Sequence, residues 1–164
     1  MSKAALAENT KTVGYALLPM VAEDLDQVVA LERSCHLSVW GHDGYASELL
    51  RAEAVMLTAR EVISGAINTN LLGFIAARLN IDELHINNIA IKPEWRCRRL
   101  GSALLTKALV EGQRLGAKWG VLEVRASNAA AQKLYIKHGF DVLGRRPDYY
   151  SAPTEDALIM GASL

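Results

Sequence analysis

A carboxylate and a phenol close together in the sequence carry its clearest chemical signal. Glu123 lies in an apolar run typical of a buried strand, and Tyr135 lies in a small-residue stretch that ends at Gly139, as a helix does. A short strand–helix connection can bring both side chains to one cleft. The carboxylate suits proton removal from an amine, and the phenol suits proton delivery to a leaving group. For this pair alone, a structural Glu123–Arg125 ion pair and a core role for Tyr135 remain open alternatives.

A second set of residues could bind phosphate. Residues 92–102 run from a predicted strand through a basic loop into a predicted helix, and the loop contains Arg96, Arg98 and Arg99. The first N–H groups of a helix have no partner inside it and the helix dipole is positive there, so such an end can bind phosphate. Arginine adds donors that match phosphate oxygens. The alternative is a solvated basic turn that binds nothing.

Other polar residues carry weaker signals. Asn128 is placed to cap the helix that contains Tyr135. His85, on the strand before the basic loop, is interpreted as mainly structural. Four metal-capable residues lie in one stretch: Cys35, His36, His42 and Asp43. Their spacing matches no zinc pattern, and we expect no metal site.

Three aromatic residues are candidates for contact with a substrate. Trp40 lies beside the metal-capable stretch, and Tyr149 and Tyr150 lie beside two arginines near a predicted strand end. Trp40 could equally pack in the core, and the tyrosines could equally cover a sheet edge. The residues themselves leave these alternatives open.

The elements that would position these groups follow from hydrophobic periodicity. We predict strands at 15–20, 55–59, 71–79, 84–91, 119–124, 140–143 and 157–160. We predict helices at 25–31 with Asp24 as the cap, at 46–51, at 100–115 and at 128–138. Residues 35–44 are predicted to form a loop, and residues 64–70 a turn between strands. Strands in series with two late helices between strands imply an α/β (α+β) fold with a mixed sheet flanked by helices.

Composition restricts the class of protein. The chain has 164 residues, with 18 Lys plus Arg and 18 Asp plus Glu, so the formal net charge is zero. This balance argues against a nucleic-acid coat. Two distant cysteines and the lack of a long apolar run favour a reducing compartment without a membrane span. We expect a cytoplasmic protein with a loose tail at 1–12 and one domain at 13–164, without nucleic-acid or membrane partners.

The basic loop and the Glu–Tyr segment, in this order, resemble the GNAT superfamily of acetyl-CoA-dependent N-acetyltransferases. The superfamily loop reads Gln or Arg, two residues, Gly, one residue, then Gly or Ala. Here the loop is Arg96-Cys97-Arg98-Arg99-Leu100-Gly101, so Arg99 replaces the first Gly. About half the chain, 84–160, is similar to the RimI-type ribosomal-protein-alanine N-acetyltransferases. The matching segments are 88–91, 122–131, 134–135, 139–140, 146–150 and 155–160.

The resemblance implies a GNAT fold with about six to seven strands and about four helices, acetyl-CoA as co-substrate and no metal. It implies that Glu123 is the general base and Tyr135 the general acid. The implied acetyl-CoA contacts are Ile89, Ala90 and Ile91 on the strand, Arg96, Cys97, Arg98, Arg99, Leu100, Gly101 and Ser102 in the loop, and Asn128. The implied acceptor is the N-terminal alanine of a small-subunit ribosomal protein. Other protein N-termini, lysine, a small-molecule amine or a non-catalytic acyl-CoA-binding role remain alternatives.

Overall fold

The protein is described here by a computed structural model that covers residues 13–164. The tail predicted at 1–12 lies outside the described residues. The strands are β1 Val13–Pro19, β2 Ala54–Ile63, β3 Ala66–Asn80, β4 Glu83–Ile91, β5 Trp119–Arg125, β6 Asp141–Ser151 and β7 Thr154–Ser163. The helices are α1 Leu25–Ser34, α2 Gly41–Leu49, α3 Leu100–Leu115 and α4 Ala129–Lys137. Short 3₁₀ turns span Ala22–Asp24 and Pro93–Trp95.

All seven strands belong to one sheet, in the order β1-β2-β3-β4-β5-β7-β6. Only β4 and β5 are parallel neighbours, and they pair over a short stretch, from Glu83 opposite Trp119 to Ile86 opposite Leu122. Beyond Ile86 the two strands separate, although β5 continues to pair with β7 as far as Arg125. This mixed α/β sheet confirms the predicted fold class.

Helices cover the sheet on both faces, as the apolar spacing predicts. On one face, α3 buries Leu100, Leu104 and Leu105 in a core shared with β2–β5 and β7. On the other face, α1 and α2 bury Val28 and Tyr45 against β2–β4. Helix α3 begins and ends at the predicted residues because its apolar stripe is continuous and Gly116, with φ of 109°, terminates it. Within residues 13–164, no helix combines the length and apolarity needed to cross a bilayer.

A β-bulge interrupts β4 where it leaves β5. Ile86 pairs with Ala77 and Asn88 with Ala76, so Asn87 is an extra residue with no opposite partner on β3. The bulge reverses the alternation of faces. Leu84 and Ile86 before it pack on the α3 side, whereas Ala90 after it packs on the α1–α2 side.

Several sequence predictions about element bounds were wrong. The turn predicted at 64–70 is the two-residue Ser64-Gly65 turn, whose φ values are both positive as a type I′ hairpin requires. The polar residues that follow are exposed strand residues, which is why they resembled a loop. Strand β6 is longer than predicted for the same reason. Strand β7 begins earlier than predicted, at three polar residues, and extends at its other end through the small buried residues Gly161 and Ala162. The helix predicted at 46–51 begins at Gly41, within the predicted loop.

Candidate active site

A groove of about 160 Å³ opens where β4 and β5 separate. Its lining brings together Asn88, Ile89, Glu123, Asn128, Tyr135 and Tyr150, together with residues 35–38 of the α1–α2 connection. Within residues 13–164, no strand pairs with the free edge of β4 beyond Ile86, so alternate backbone groups of that edge face the groove. A larger cavity of about 510 Å³ lies around Trp119 and Leu143, but it contains neither Glu123 nor Tyr135.

The Glu123 carboxylate is held by two basic side chains. Its Oε2 lies 2.7 Å from Nε2 of His85, and its Oε1 lies 3.2 Å from Nη1 of Arg146. The side chain is only 12% exposed. Arg125, the alternative partner considered from the sequence, instead pairs with Glu155, with Nη1 and Oε2 3.2 Å apart. Glu123 is therefore a nearly buried carboxylate with fixed partners at the edge of a groove.

His85 is the functional candidate that the sequence analysis underestimated. The parallel register places His85 opposite Val121, and the period of two then puts Glu123 on the same face of the sheet. Both residues occupy polar positions within apolar strands, and this shared pattern was the available signal. It could not be used without knowing that β4 and β5 are neighbours.

Tyr135 is a buried phenol at the other side of the groove. It is 5% exposed and packs against Phe140, with ring centroids 5.9 Å apart. Burial, and to a smaller extent the negative charge of Tyr150 when ionised, raises the pKa of Tyr135 well above its usual range. Its hydroxyl therefore stays protonated in neutral solution. A phenol in that state can donate a proton to a leaving thiolate.

Asn128 caps α4, as its position predicted. Its Oδ1 accepts a hydrogen bond from the Ala131 N–H at 3.1 Å. The turn before the helix is braced by Gln132, whose Nε2 donates to the carbonyl oxygens of Arg125 and Ala126 at 3.1 and 2.9 Å. Because Asn128 also lines the groove, the cap fixes the start of α4 beside the site.

The basic loop uses left-handed backbone at two residues. Cys97 has φ of 59° and Arg99 has φ of 63°. The second is the position where the superfamily pattern has glycine, and a non-glycine residue there costs about 1–2 kcal/mol. Arg99 is the N-cap of α3, and its side chain makes no capping bond. The first N–H groups of α3 therefore remain suited to an anion.

The three arginines of the loop have different environments. Arg96 is held by contacts within the protein, with Nε donating to the Ile91 carbonyl at 3.1 Å and Nη2 lying 3.4 Å from the Cys35 sulfur. Arg98 lies over the ring of Trp95, 5.1 Å from its centroid. All three arginines are exposed at the surface of the loop.

Ser102, at the start of α3, uses its hydroxyl within the protein. Its Oγ lies 3.0 Å from Nε2 of His138, which also lies 3.2 Å from the Thr106 hydroxyl. Nδ1 of the same ring bonds to the Leu134 carbonyl at 2.8 Å. His138 therefore joins α3 to α4, and Ser102 can offer a ligand its backbone N–H more readily than its hydroxyl.

The three aromatic candidates for substrate contact lie in different places. Tyr150 lines the groove, and the Arg125 guanidinium lies over its ring at 4.1 Å. Burial chiefly raises the pKa of Tyr150 to about 12. Tyr149 is 46% exposed and meets Tyr150 edge to face. Trp40 packs on Tyr45 with ring centroids 5.2 Å apart, and lies just outside the groove lining.

The metal-capable stretch does not converge. His42 and Asp43 lie 3.9 Å apart and both side chains are largely exposed. Among residues 13–164, no three His, Cys, Asp or Glu side chains are grouped closely enough to hold a metal ion.

Known proteins are similar to this chain over most of its length. Residues 25–140 match the model of the acetyltransferase (GNAT) family. Ribosomal protein bS18-alanine N-acetyltransferase of Escherichia coli (strain K12) is 34% identical over 144 residues, covering 86% of this chain and 92% of that protein. A Bacillus subtilis (strain 168) protein with the same name, given provisionally, is 36% identical over 149 residues, covering 91% of this chain and 95% of that protein.

The folded structure is similar as well. The crystal structure of the ribosomal-protein-S18-alanine N-acetyltransferase from Escherichia coli superposes with a TM-score of 0.78 and 29% identity, covering 92% of this chain and 94% of that one. The family match spans α1 to the end of α4 and so includes the basic loop, both candidate catalytic residues and all of the groove lining except Tyr150. The chain belongs to the GNAT family of acetyltransferases.

Proposed function

We propose that this acetyltransferase transfers the acetyl group of acetyl-CoA to the N-terminal α-amine of a protein. The observation that carries the proposal is that Glu123 and Tyr135 line one groove beside the free edge of β4. The acceptor we propose is the N-terminal alanine of a small-subunit ribosomal protein. The relatives described above, named for acetylating alanine of ribosomal protein bS18, support this acceptor.

The residues present fit acetyl-CoA as the donor. The free edge of β4 from Ile89 to Ile91 offers backbone groups to the pantetheine arm. The loop residues from Arg96 to Ser102 offer a helix start and the exposed guanidinium of Arg99 to the pyrophosphate. Asn128 contributes at the groove rim. The donor supplies a thioester carbonyl, which an amine can attack.

The proton balance assigns one role to each catalytic residue. A protein α-amine has a pKa of about 7.7–8.0, so it is mostly protonated at neutral pH. Glu123 removes a proton, directly or through water, and the amine nitrogen attacks the thioester carbon. The C–N bond forms and the C–S bond breaks, and Tyr135 donates its proton to the departing thiolate. The nitrogen gives up its second proton as the amide forms, and that proton returns through water to the Tyr135 oxygen, while Glu123 releases the first proton to solvent. The amine attacks the thioester directly, so no covalent enzyme intermediate is needed. Positioning the two substrates in one groove supplies much of the rate.

The proposal also covers the location of the enzyme, its partner and its catalytic role. We propose a cytoplasmic location, because a ribosomal acceptor is found there. The zero net charge favours a protein partner over nucleic acid. A non-catalytic acyl-CoA-binding role is disfavoured, since both proton-transfer residues are present in the groove.

The test is acetyl transfer to synthetic peptides, followed by mass spectrometry and by release of free CoA thiol. The acceptor begins with alanine, one control peptide has its N-terminus blocked and contains lysine, and another begins with a different residue. We expect acetylation at the free alanine terminus and a loss of about 10²–10⁴-fold in Glu123→Gln. Acetylation of the blocked peptide at lysine would overturn the N-terminal acceptor, and full activity of Glu123→Gln would overturn its role as base.

A further inference from the structure

Glu32 on α1 is a fully buried carboxylate that the acid–base mechanism does not use. Its Oε1 accepts hydrogen bonds from the Trp40 N–H at 2.8 Å and from the Tyr45 hydroxyl at 2.9 Å. Its Oε2 accepts from the Gly41 N–H at 3.2 Å. One side chain of α1 therefore holds the first backbone groups of α2, at the far end of the 35–40 connection.

The network continues from Glu32 to the groove. The Tyr45 hydroxyl accepts a hydrogen bond from Nδ2 of Asn88 at 2.9 Å, and the same nitrogen donates to the Ser38 carbonyl at 3.2 Å. Tyr45 is fully buried and Asn88 is 3% exposed. Asn88 directly follows the bulge in β4, and both Asn88 and Ser38 line the groove.

Glu32 differs from the other buried acids of the described residues. Asp24 forms an ion pair with Arg60, and Glu48 forms ion pairs with Arg78 and Arg51. Within residues 13–164, Glu32 has no lysine or arginine partner and is bonded only to backbone N–H groups and a phenol. A buried carboxylate is costly unless its bonds are satisfied, so this arrangement holds a loop in place instead of joining two charged side chains.

The loop held in this way forms a wall of the groove. Residues 35–38 lie between α1 and α2 and line the groove, and His36 adopts a left-handed backbone with φ of 52°. Such a conformation persists only when surrounding contacts maintain it. Glu32 fixes the end of the connection, and Asn88 fixes Ser38 within it. The hydrogen-bond network of Glu32, Tyr45 and Asn88 therefore determines where this wall lies relative to β4.

We infer that Glu32, acting through Tyr45 and Asn88, is a positioning residue for the acceptor: it sets the 35–38 wall against which the acceptor terminus binds. The inference rests on the proposed function, because it assumes that an amine acceptor enters this groove. It predicts a separation of effects. Loosening the wall weakens acceptor binding more than donor binding. Among the described residues, the loop and helix start proposed to hold acetyl-CoA at 96–102 meet the wall through one contact, between Nη2 of Arg96 and the Cys35 sulfur at 3.4 Å.

The test is steady-state kinetics of Glu32→Gln and Tyr45→Phe with acetyl-CoA and the alanine-starting peptide. Each variant keeps the side-chain shape and removes one partner of the network. We expect the KM for the peptide to rise about three- to tenfold, the range that one lost hydrogen bond produces, and the KM for acetyl-CoA to rise less. Glu48→Gln is the matched control, because it alters an equally buried carboxylate outside the groove.

The control separates positioning from loss of stability. Glu48→Gln should lower the thermal midpoint while leaving the peptide KM unchanged, which a general effect of destabilisation would not do. Unchanged peptide KM in both network variants, or equal increases in both KM values, would overturn the inference. If Glu32→Gln does not fold, Tyr45→Phe decides the outcome. Failure of the wild-type chain to acetylate any peptide is a failure of the proposed function, since the inference concerns only the variants of an active enzyme.

Discussion

Nε2 of His85 lies 2.7 Å from Oε2 of Glu123, although the two residues are 38 positions apart in the chain. The contact joins the only two parallel strands of the sheet just before they separate. It orients the carboxylate proposed to receive the acceptor's proton.

The first prediction concerns this pair. His85→Ala should lower kcat/KM for the peptide about 10–100-fold, because Glu123 loses the contact that orients it, and should leave the KM for acetyl-CoA unchanged. Steady-state rates with the alanine-starting peptide check this. His42→Ala, which removes an exposed histidine of α2, is the control and should match the wild type. Wild-type rates in His85→Ala would assign His85 a purely structural role.

Tyr135→Phe tests the proton donor. The variant removes one buried hydroxyl and keeps the ring that packs on Phe140, so the fold should persist. We expect kcat to fall about 10²-fold or more, with both KM values little changed, because the thiolate must leave without a proton donor. Tyr149→Phe is the matched control, since its ring is half exposed and outside the groove lining. Equal kcat values for the two variants would contradict the assignment of Tyr135 as acid.

Alkaline stability should follow the buried tyrosines. Burial raises the pKa of Tyr45, Tyr135 and Tyr150 in the folded chain, and raises that of Tyr150 to about 12. A tyrosine in the unfolded chain has a pKa of about 10. Above about pH 10, the native state therefore holds more protons than the unfolded state. The free energy of unfolding should decrease as the pH rises beyond that value. Below it, these residues should contribute no pH dependence.

Urea titrations between pH 8 and pH 11 measure this effect. Tyr135→Phe should show a shallower decrease above pH of about 10 than the wild type, because one group that resists ionisation is gone. Tyr15→Phe, at a more exposed position on β1, should keep the wild-type slope. A wild-type unfolding free energy that stays constant up to pH 11 would contradict the prediction.

Arg99→Gly should separate stability from donor affinity. Glycine removes the strain of the left-handed backbone, about 1–2 kcal/mol, but adds about 0.5–1 kcal/mol of unfolded-chain entropy, so we expect a small gain in stability. It also removes an exposed guanidinium at the start of α3, and the KM for acetyl-CoA should rise several-fold. Urea melts and donor titrations measure the two effects. Arg99→Ala is the control, because it loses the charge without relieving the strain; an unchanged KM in both variants would remove Arg99 from the donor site.

Periodicity predicted the elements that have a continuous apolar face. Helix α3 begins and ends where its apolar stripe and Gly116 require. The strand that contains Glu123 and the helix that contains Tyr135 were placed within one or two residues, because Asn128 and Gly139 mark the helix ends locally. Such local signals lie within a few residues of the strand or helix end that they specify.

The beginning of α2 was not predictable in this way. The N–H groups of Trp40 and Gly41 at the start of α2 bond to Glu32, several residues earlier on another helix, and a long-range bond of this kind leaves no local signature. The outer halves of β2 and β3 were missed because their polar and apolar residues do not alternate: β2 ends Arg-Glu-Val-Ile, and β3 begins Ala-Ile-Asn-Thr-Asn.

The sequence by itself determined that a carboxylate, a phenol and a basic helix start occur in the order of an acetyltransferase. It also determined which strand and which helix carry Glu123 and Tyr135. Only the tertiary structure decided that His85 faces Glu123 and that Glu32 reaches the groove through Tyr45 and Asn88. Periodicity specifies the face on which a side chain lies, whereas the neighbour it meets depends on which strands pair and in what register.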